Sequence, residues 1–162
     1  MLFPARLPAS ATTFVSPNTM TVADLLATYP PSIATLGMYA RVSDLWSSVD
    51  EVMRCRWDGV NYNWVPQRSA DFRAASTVTT GALTITALGH APVLDFTSTL
   101  VGSITPTLSP TNAWIGQTKV LRARGVLGIF GINVSGLVGG GTVPLLTGGD
   151  RTFVYTPTGW QA

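Results

Sequence analysis

The sequence predicts a mainly β protein: a compact β-sandwich or barrel-like domain with an extended N-terminal arm and one or two short helices. Three observations favour this class. From residue 53 onward, apolar residues recur with a period of two. Threonine, valine and isoleucine dominate these runs, and glycine, proline or asparagine separates them at short intervals. Such spacing is typical of all-β proteins rather than of alternating βαβ units.

Charge is scarce and unevenly distributed along the chain. The 162 residues are 46% hydrophobic and only 11% charged, whereas about 25% is usual for soluble domains. Residues 41–73 carry ten of the eighteen charged residues, and residues 74–162 carry six. We interpret the deficit as surface that is buried against other protein chains, with a membrane as the alternative.

The first 40 residues are predicted to form an extended arm, and residues 41–162 the β-rich domain. Pro4, Pro8 and Pro17 interrupt any helix, and no basic leader precedes an apolar core as it would in a signal peptide. An almost uncharged, proline-containing segment is typical of a chain that is disordered or lies along a partner. We therefore expect the arm to make assembly contacts rather than to add to the core.

Two short helices are predicted. In "TVADLLATYPPS", Thr21 can cap the first turn, Asp24 lies near its positive end, and the two prolines after Tyr29 end the helix. In "RVSDLWSSVDEVM", Ser43 can cap a second helix that would place three apolar residues on one side: Leu45, Val49 and Val52.

Period-two patterns predict the strands. "MRCRW", the turn residues Asp58-Gly59 and "YNWVPQ" together predict a β-hairpin. Further strands are predicted in "TVTT", "ALTITAL", "PVLDFTS", "SITPTLS", "TKVLRAR", "GIFGINVSGL" and "RTFVYT".

Residues 125–149 contain no charge and are long enough to cross a bilayer. A run of three glycines at 139–141 followed by Pro144 would leave backbone groups unsatisfied in lipid, so a membrane span is not predicted. The stretch also lacks the Gly-Lys-Ser/Thr of a phosphate-binding loop. It predicts a buried strand, a glycine turn and a return through "VPLL".

The composition argues against nucleic acid, metals and cofactors. The net charge is only +2, Lys119 is the single lysine, and the arginines form no run, whereas nucleic-acid proteins usually show a basic stripe with interleaved aromatics. Cys55 is the single cysteine, which excludes an internal disulfide and a cysteine-based metal cluster. We expect no bound cofactor and no metal.

Catalytic candidates are few, and we expect no enzyme activity. Cys55 lies between two arginines that could lower its pKa, and His90 could partner it, but strand alternation places Cys55 on a buried face. Asp95 is the one carboxylate in an apolar strand. It could be a perturbed acid, although an ion pair with Arg122 or Arg124 is the interpretation we favour. The chain has no Gly-x-Ser-x-Gly elbow.

Four tryptophans follow predicted hairpins or lie within them. Aromatic side chains at strand ends more often close a core or a subunit interface than stack on sugars. The candidate interface or sugar-stacking residues are Trp57, Trp64, Trp114 and Trp160.

The C-terminal third resembles a module of tailed-phage virion proteins. Its elements are an Asn-Ala-Trp-x-Gly turn, a strand ending in basic residues, a glycine-rich apolar strand pair, and a closing "Y-x-x-T-G-W". These fall on Asn112, Ala113, Trp114 and Gly116, then on Tyr155, Thr158, Gly159 and Trp160. The upstream stretch "MYARVSDLWSSVDEVMRCRWDGVNYNWVPQRSADF" is also similar to segments of phage structural proteins, and the two together cover half to two thirds of the chain.

The resemblance implies a structural protein of a tailed-phage virion, located in the particle. A capsid cement or decoration protein is favoured, because the sequence lacks the repeats or heptads of a long fibre. Its partners would be its own copies, with a homotrimer favoured, and the major capsid protein or another virion protein. A tail fibre, spike or adaptor protein is the alternative, and a carbohydrate-binding module is the alternative of another class. The resemblance implies no catalytic residue.

Overall fold

The computed structural model describes residues 13–46, 49–67, 73–76, 81–96, 104–124, 132–146 and 148–162. These residues confirm the mainly β fold. They form one helix and twelve strands: α1 (Val22–Thr28), β1 (Tyr39–Leu45), β2 (Val49–Trp57), β3 (Tyr62–Pro66), β4 (Arg73–Ser76), β5 (Gly81–Ile85), β6 (Val93–Phe96), β7 (Ile104–Leu108), β8 (Thr118–Ala123), β9 (Ile132–Val134), β10 (Val143–Leu145), β11 (Asp150–Thr156) and β12 (Gly159–Gln161).

The helix α1 confirms the first helix prediction and its cap. The hydroxyl of Thr21 accepts from the backbone N–H of Asp24 at 3.0 Å and donates to the Asp24 carboxylate at 2.7 Å. Leu25 is fully buried in the core. The expectation that residues 1–40 add no core is therefore wrong for this helix, because Leu25 lies in the core and the partly buried Val22 and Leu26 pack against it. The division at residue 40 stays a prediction.

The first sheet has the order β1-β2-β3 and is antiparallel throughout. The second predicted helix is wrong, because residues 41–45 belong to β1 and residues 49–53 to β2. Val42 and Leu45 face the core from β1, and pairing with β2 satisfies the backbone that a helix would otherwise have satisfied internally. The register shifts between these two residues, which marks a bulge.

The hairpin predicted around Asp58-Gly59 is confirmed as β2 and β3, with Cys55 opposite Trp64 and Trp57 opposite Tyr62. On the other side of the sheet, parallel bridges join Phe14 to Tyr39 and Met20 to Val42. The segment before α1 therefore runs along β1 and covers that edge.

Two further sheets are built from strands that alternate between them. The second sheet has the order β12-β11-β8-β6-β4, and the third has the order β10-β9-β7-β5. Along the chain, β4 to β9 belong to the two sheets in turn, and neighbours among these six strands are parallel. Parallel neighbours need a long crossover, which is usually a helix. Here a strand of the other sheet occupies each crossover, so the chain winds as a short coil of strands.

Antiparallel strands finish the chain. β10 returns along β9, β11 pairs with β8, and β12 returns along β11. The predicted strand "TVTT" lies outside the described residues, as do residues 125–131 of the uncharged stretch. The described part of the uncharged stretch, residues 132–146 and 148–149, consists of strands, turns and connecting residues. Gly136 has a φ of +81°, and a Cβ there would clash with the carbonyl oxygen of Leu108. Glycine therefore lets the chain leave β9 close against β7.

All three sheets contribute to one hydrophobic core. In β7, β8 and β9 alternate residues point inward, so that each of these strands buries one face. The largest fully buried apolar side chains are Trp64, Trp160, Phe96, Phe153, Leu25, Leu45, Met53, Ile85, Leu94, Leu108 and Leu121. Among the described residues, no helix has the length and apolar character that a membrane crossing requires.

Candidate functional site

Two of the four candidate tryptophans belong to the core. Trp64 and Trp160 are each 1% exposed. Their indole N–H groups donate to backbone carbonyl oxygens, of Tyr29 at 2.9 Å and of Ser109 at 3.0 Å. Neither ring offers a face to a sugar or to a partner, so the structure places both as packing residues. Both side chains point inward from their strands. Their positions near turns in the sequence did not predict this burial.

Trp57 is the most exposed of the four. It ends β2, 50% of its surface is accessible, and its ring lies 4.7 Å from that of Tyr62 across the hairpin, tilted by 49°. Trp114 is half-buried and packs against the core. Trp57 is therefore the candidate that can reach a partner.

Other exposed apolar side chains lie in the turn after β2 and in a loop hydrogen-bonded to β2. Ile33 and Leu36 are 70% and 43% exposed, and Val60, in the β2–β3 turn, is 51% exposed. The loop that carries the first two is held beside β2, because the N–H of Gly37 donates to the carbonyl of Cys55 at 2.9 Å. We call Ile33, Leu36, Trp57, Val60 and Tyr62 the apolar end of the first sheet.

Asp58 fixes the turn that carries the apolar end. Its Oδ1 accepts from the backbone N–H groups of Val60 at 2.9 Å and Asn61 at 2.8 Å. Its Oδ2 accepts from the side chain of Asn63 at 2.9 Å and from the N–H of Ile115 at 3.1 Å. Partial burial by itself raises the pKa of Asp58, but these four donors outweigh it and hold the pKa below its ordinary value. The turn is thereby tied to the loop before β8.

We expect Asp58→Ala to lower the free energy of unfolding by about 2 kcal/mol, because four donors lose a charged acceptor at a partly exposed site. Asp58→Asn should cost about half as much, since one amide oxygen can keep the two bonds within the turn but not the bond to Ile115. Because the folded pKa is lowered, the stabilisation is present above the ordinary aspartate pKa and is lost as the pH falls through the folded value.

Urea denaturation at neutral pH and in acid measures both effects. The difference between the unaltered protein and Asp58→Ala should shrink in acid. Equal stability of the two proteins at neutral pH would contradict this account of the turn.

The single lysine is buried, which the sequence analysis did not anticipate. The Nζ of Lys119, on β8, donates to the carbonyl oxygens of Ala87 at 3.4 Å, His90, and Ala91 at 3.1 Å. Burial lowers the pKa of Lys119 to about 7. The alternation in "TKVLRA" could have predicted this burial, because Lys119 shares the inward face of β8 with Leu121 and Ala123.

Cys55 and His90 are not brought together among the described contacts. Cys55 is fully buried, and its Sγ lies 3.5 Å from the hydroxyl of Thr35. His90 accepts from the N–H of Thr86 through Nδ1 at 3.2 Å. Its pKa is lowered, first by burial and then by the charge of Lys119. A thiol nucleophile activated by this histidine therefore finds no support in the geometry.

Asp95 does not form the ion pair that was expected with Arg122 or Arg124. Asp95 lies opposite Arg122 in the register of β6 and β8, yet Arg122 turns to Asp150, with Nε 3.3 Å from Oδ2 but without hydrogen-bond geometry. Arg124 lies 3.2 Å from the same carboxylate. Among the described residues, the Oδ1 of Asp95 is buried without a hydrogen-bond partner. The expectation is wrong because Asp150, on the other neighbour of β8, takes both arginines.

In the part of the chain that the structure describes, no group of three or more His, Cys, Asp or Glu side chains could hold a metal ion. The β2–β3 turn, hydrogen-bonded by Asp58, presents exposed apolar and aromatic side chains.

Comparison with known proteins gives little. No protein-family model matches the chain, and no curated protein matches it significantly. One solved structure, described as "Structure of a chaperone-substrate complex", is similar at 13% identity with a TM-score of 0.41. The likeness covers 79% of this chain and 23% of that one. A likeness this weak carries no argument about function.

Proposed function

We propose that the chain is a structural protein of a tailed-phage virion, of the capsid cement or decoration type. The observation that supports the proposal is the apolar end of the first sheet, where a turn fixed by Asp58 presents exposed apolar side chains. Large contiguous apolar patches on soluble monomers usually mark contacts with other molecules. The virion assignment itself rests on the resemblance of the C-terminal motifs to phage structural proteins.

The mechanism of such a protein is mechanical. Burying apolar surface contributes about 25 cal/mol per Å², and part of that is offset by the lost freedom of the bound subunit. An exposed tryptophan paired with tyrosine is typical of the residues that dominate binding energy in protein interfaces. The partners we propose are copies of the chain, with a trimer favoured by the resemblance, and the major capsid protein or another virion protein. No catalytic residue is assigned.

The test uses particles of the phage whose genome encodes the chain. Quantitative mass spectrometry should find the chain in purified particles at a fixed copy number, and averaged images should show it on the shell. Particles grown without it should take up the added protein, whereas the Trp57→Asp/Val60→Asp double variant should not bind. Thr158→Asp, which adds charge at an exposed polar turn on β11–β12, is the matched control. Absence of the chain from the particles would refute the proposal.

Position within the particle separates the alternatives inside this class. Density at the tail or neck, rather than on the shell, would favour a fibre, spike or adaptor protein. The apolar end would serve any of these roles equally.

A carbohydrate-binding module is the second candidate, favoured by the half-exposed ring of Trp57 beside Tyr62. Aromatic faces of this kind can stack on sugar rings. Glycan titration is the discriminating measurement: saturable binding that Trp57→Ala abolishes would support the module. Trp64, considered for the same role from the sequence, is excluded by its burial.

A further inference from the structure

The outer face of the first sheet carries three arginines. Met53 and Cys55 of β2 point into the core, so Arg54 and Arg56 point outward. Arg41 of β1 lies opposite Val52 in the register and therefore shares this face. We call Arg41, Arg54 and Arg56, with the rings beside them, the arginine face.

Two of these guanidinium groups lie over aromatic rings. Arg41 lies 4.8 Å from the ring centroid of Phe14, and Arg54 lies 5.4 Å from that of Tyr39. The two rings are themselves 5.9 Å apart. Stacking orders a guanidinium while leaving its edge free to donate hydrogen bonds. The face is thereby prepared for planar anionic groups.

In the described part of the chain, none of the three arginines of this face forms an ion pair. Among the described residues the ion pairs are those that Asp150 makes with Arg122 and Arg124, on another sheet. The Nε of Arg54 is buried and has no hydrogen-bond partner in the described part of the chain. Asp50 and Glu51, at the other end of β2, line one cavity with Arg41, so the uncompensated positive charge is concentrated at Arg54 and Arg56.

We infer that the arginine face binds an extended acidic segment of another protein, with carboxylates at every second residue. Outward residues along β2 are spaced by about 6.6–6.8 Å, and the side chains on one side of an extended segment have the same spacing. Guanidinium and carboxylate groups pair in a planar, two-bond geometry. Carboxylates at every second residue of such a segment would therefore match Arg54 and Arg56 in both charge and spacing.

The composition of the face favours protein over nucleic acid. Val52 and Val65 lie among the arginines, opposite Arg41 and Arg54 in the register, and arginine with aromatic residues is typical of protein interfaces. Nucleic-acid surfaces instead gather many basic residues for phosphate contacts, and the chain has a net charge of only +2. The inference does not depend on the virion assignment, since none of these residues belongs to the apolar end.

The experiment titrates the full chain with a labelled peptide of about 12 residues in which glutamate alternates with threonine. Saturable binding is expected, weaker at high salt because Arg41 and Arg56 are exposed. Arg54→Gln/Arg56→Gln should weaken it at least tenfold. Arg56→Gln alone changes an exposed side chain and should weaken it about threefold, which keeps the test independent of any effect of Arg54 on folding.

Three controls make the result decisive. Arg151→Gln removes an exposed arginine from β11 and should leave the affinity unchanged. A peptide with glutamine in place of glutamate should not bind, and a single-stranded hexanucleotide should bind more weakly than the acidic peptide. Absence of saturable binding, an equal loss in Arg151→Gln, or tighter binding of the hexanucleotide would overturn the inference.

Discussion

Replacing Trp160 by alanine is expected to lower the free energy of unfolding by about 4 kcal/mol, the usual cost of removing a large aromatic side chain from a core. Trp160 is 1% exposed and lies edge-on to Tyr155 at 5.2 Å. Its indole N–H donates to the carbonyl of Ser109, which follows β7 of the third sheet. The ring therefore joins the final hairpin of the second sheet to the third.

Two further variants separate the contribution of the indole hydrogen bond from that of the buried aromatic ring. Trp160→Phe keeps an aromatic ring beside Tyr155 but leaves the carbonyl of Ser109 without its donor, and it should cost about 1 to 2 kcal/mol. Trp57→Ala removes a half-exposed ring and should cost less than 1 kcal/mol. Chemical denaturation measures all three. A cost for Trp160→Ala no larger than that for Trp57→Ala would contradict the placement of the final hairpin.

The second large effect is a pH dependence carried by Lys119. Burial lowers its folded pKa to about 7, whereas an unfolded lysine has a pKa of about 10.4. Between these values the unfolded chain binds one proton more than the folded chain, so the free energy of unfolding rises with pH by up to about 1.4 kcal/mol per unit. Below pH 7 both states carry the charge and the slope vanishes.

Lys119→Met should remove this dependence, because it keeps the apolar bulk and has no proton to bind. The stability difference between the unaltered protein and the variant should shift by about 3 kcal/mol between pH 7 and pH 10 in favour of the unaltered protein. The shift stays below the limit of about 4 kcal/mol for three pH units, because the folded Lys119 is already half deprotonated at pH 7 and the unfolded lysine has begun to lose its proton at pH 10. A difference that stays constant over this range would contradict the lowered pKa.

Local patterns were sufficient to predict individual elements. The cap at Thr21, the turn at Asp58-Gly59 and most strands of the second half follow from residue type and a period of two. Residues 41–53 were misjudged because Leu45, Val49 and Val52 fit both a helical and an alternating spacing. Pairing with a neighbouring strand decides between the two, and that information is not local.

Local patterns could not predict the order of the strands in the sheets either, because strand pairing is not local information. Alternation reports which side of a strand is buried, but it does not report which strand lies next to it. Parallel pairing of β6 with β8, across a crossover that contains β7, leaves no trace in residue spacing.

The candidate site was predicted in part. Tryptophans were singled out as a set, yet burial separates Trp160 from Trp57. The predicted ion pair of Asp95 is wrong although Arg122 lies opposite it in the register, because Asp150 on the next strand takes the arginine. The arginine face was missed because Arg41 lies far along the chain from Arg54 and meets it only through the sheet.

The mass of the unaltered protein in solution tests the central claim most directly, which is that the apolar end of the first sheet is a contact between protein subunits. Light scattering at micromolar concentration should give an oligomer, with a trimer expected, and the Trp57→Asp/Val60→Asp variant should give a folded monomer of 17.1 kDa. A stable, soluble monomer of the unaltered chain at that concentration would contradict the claim.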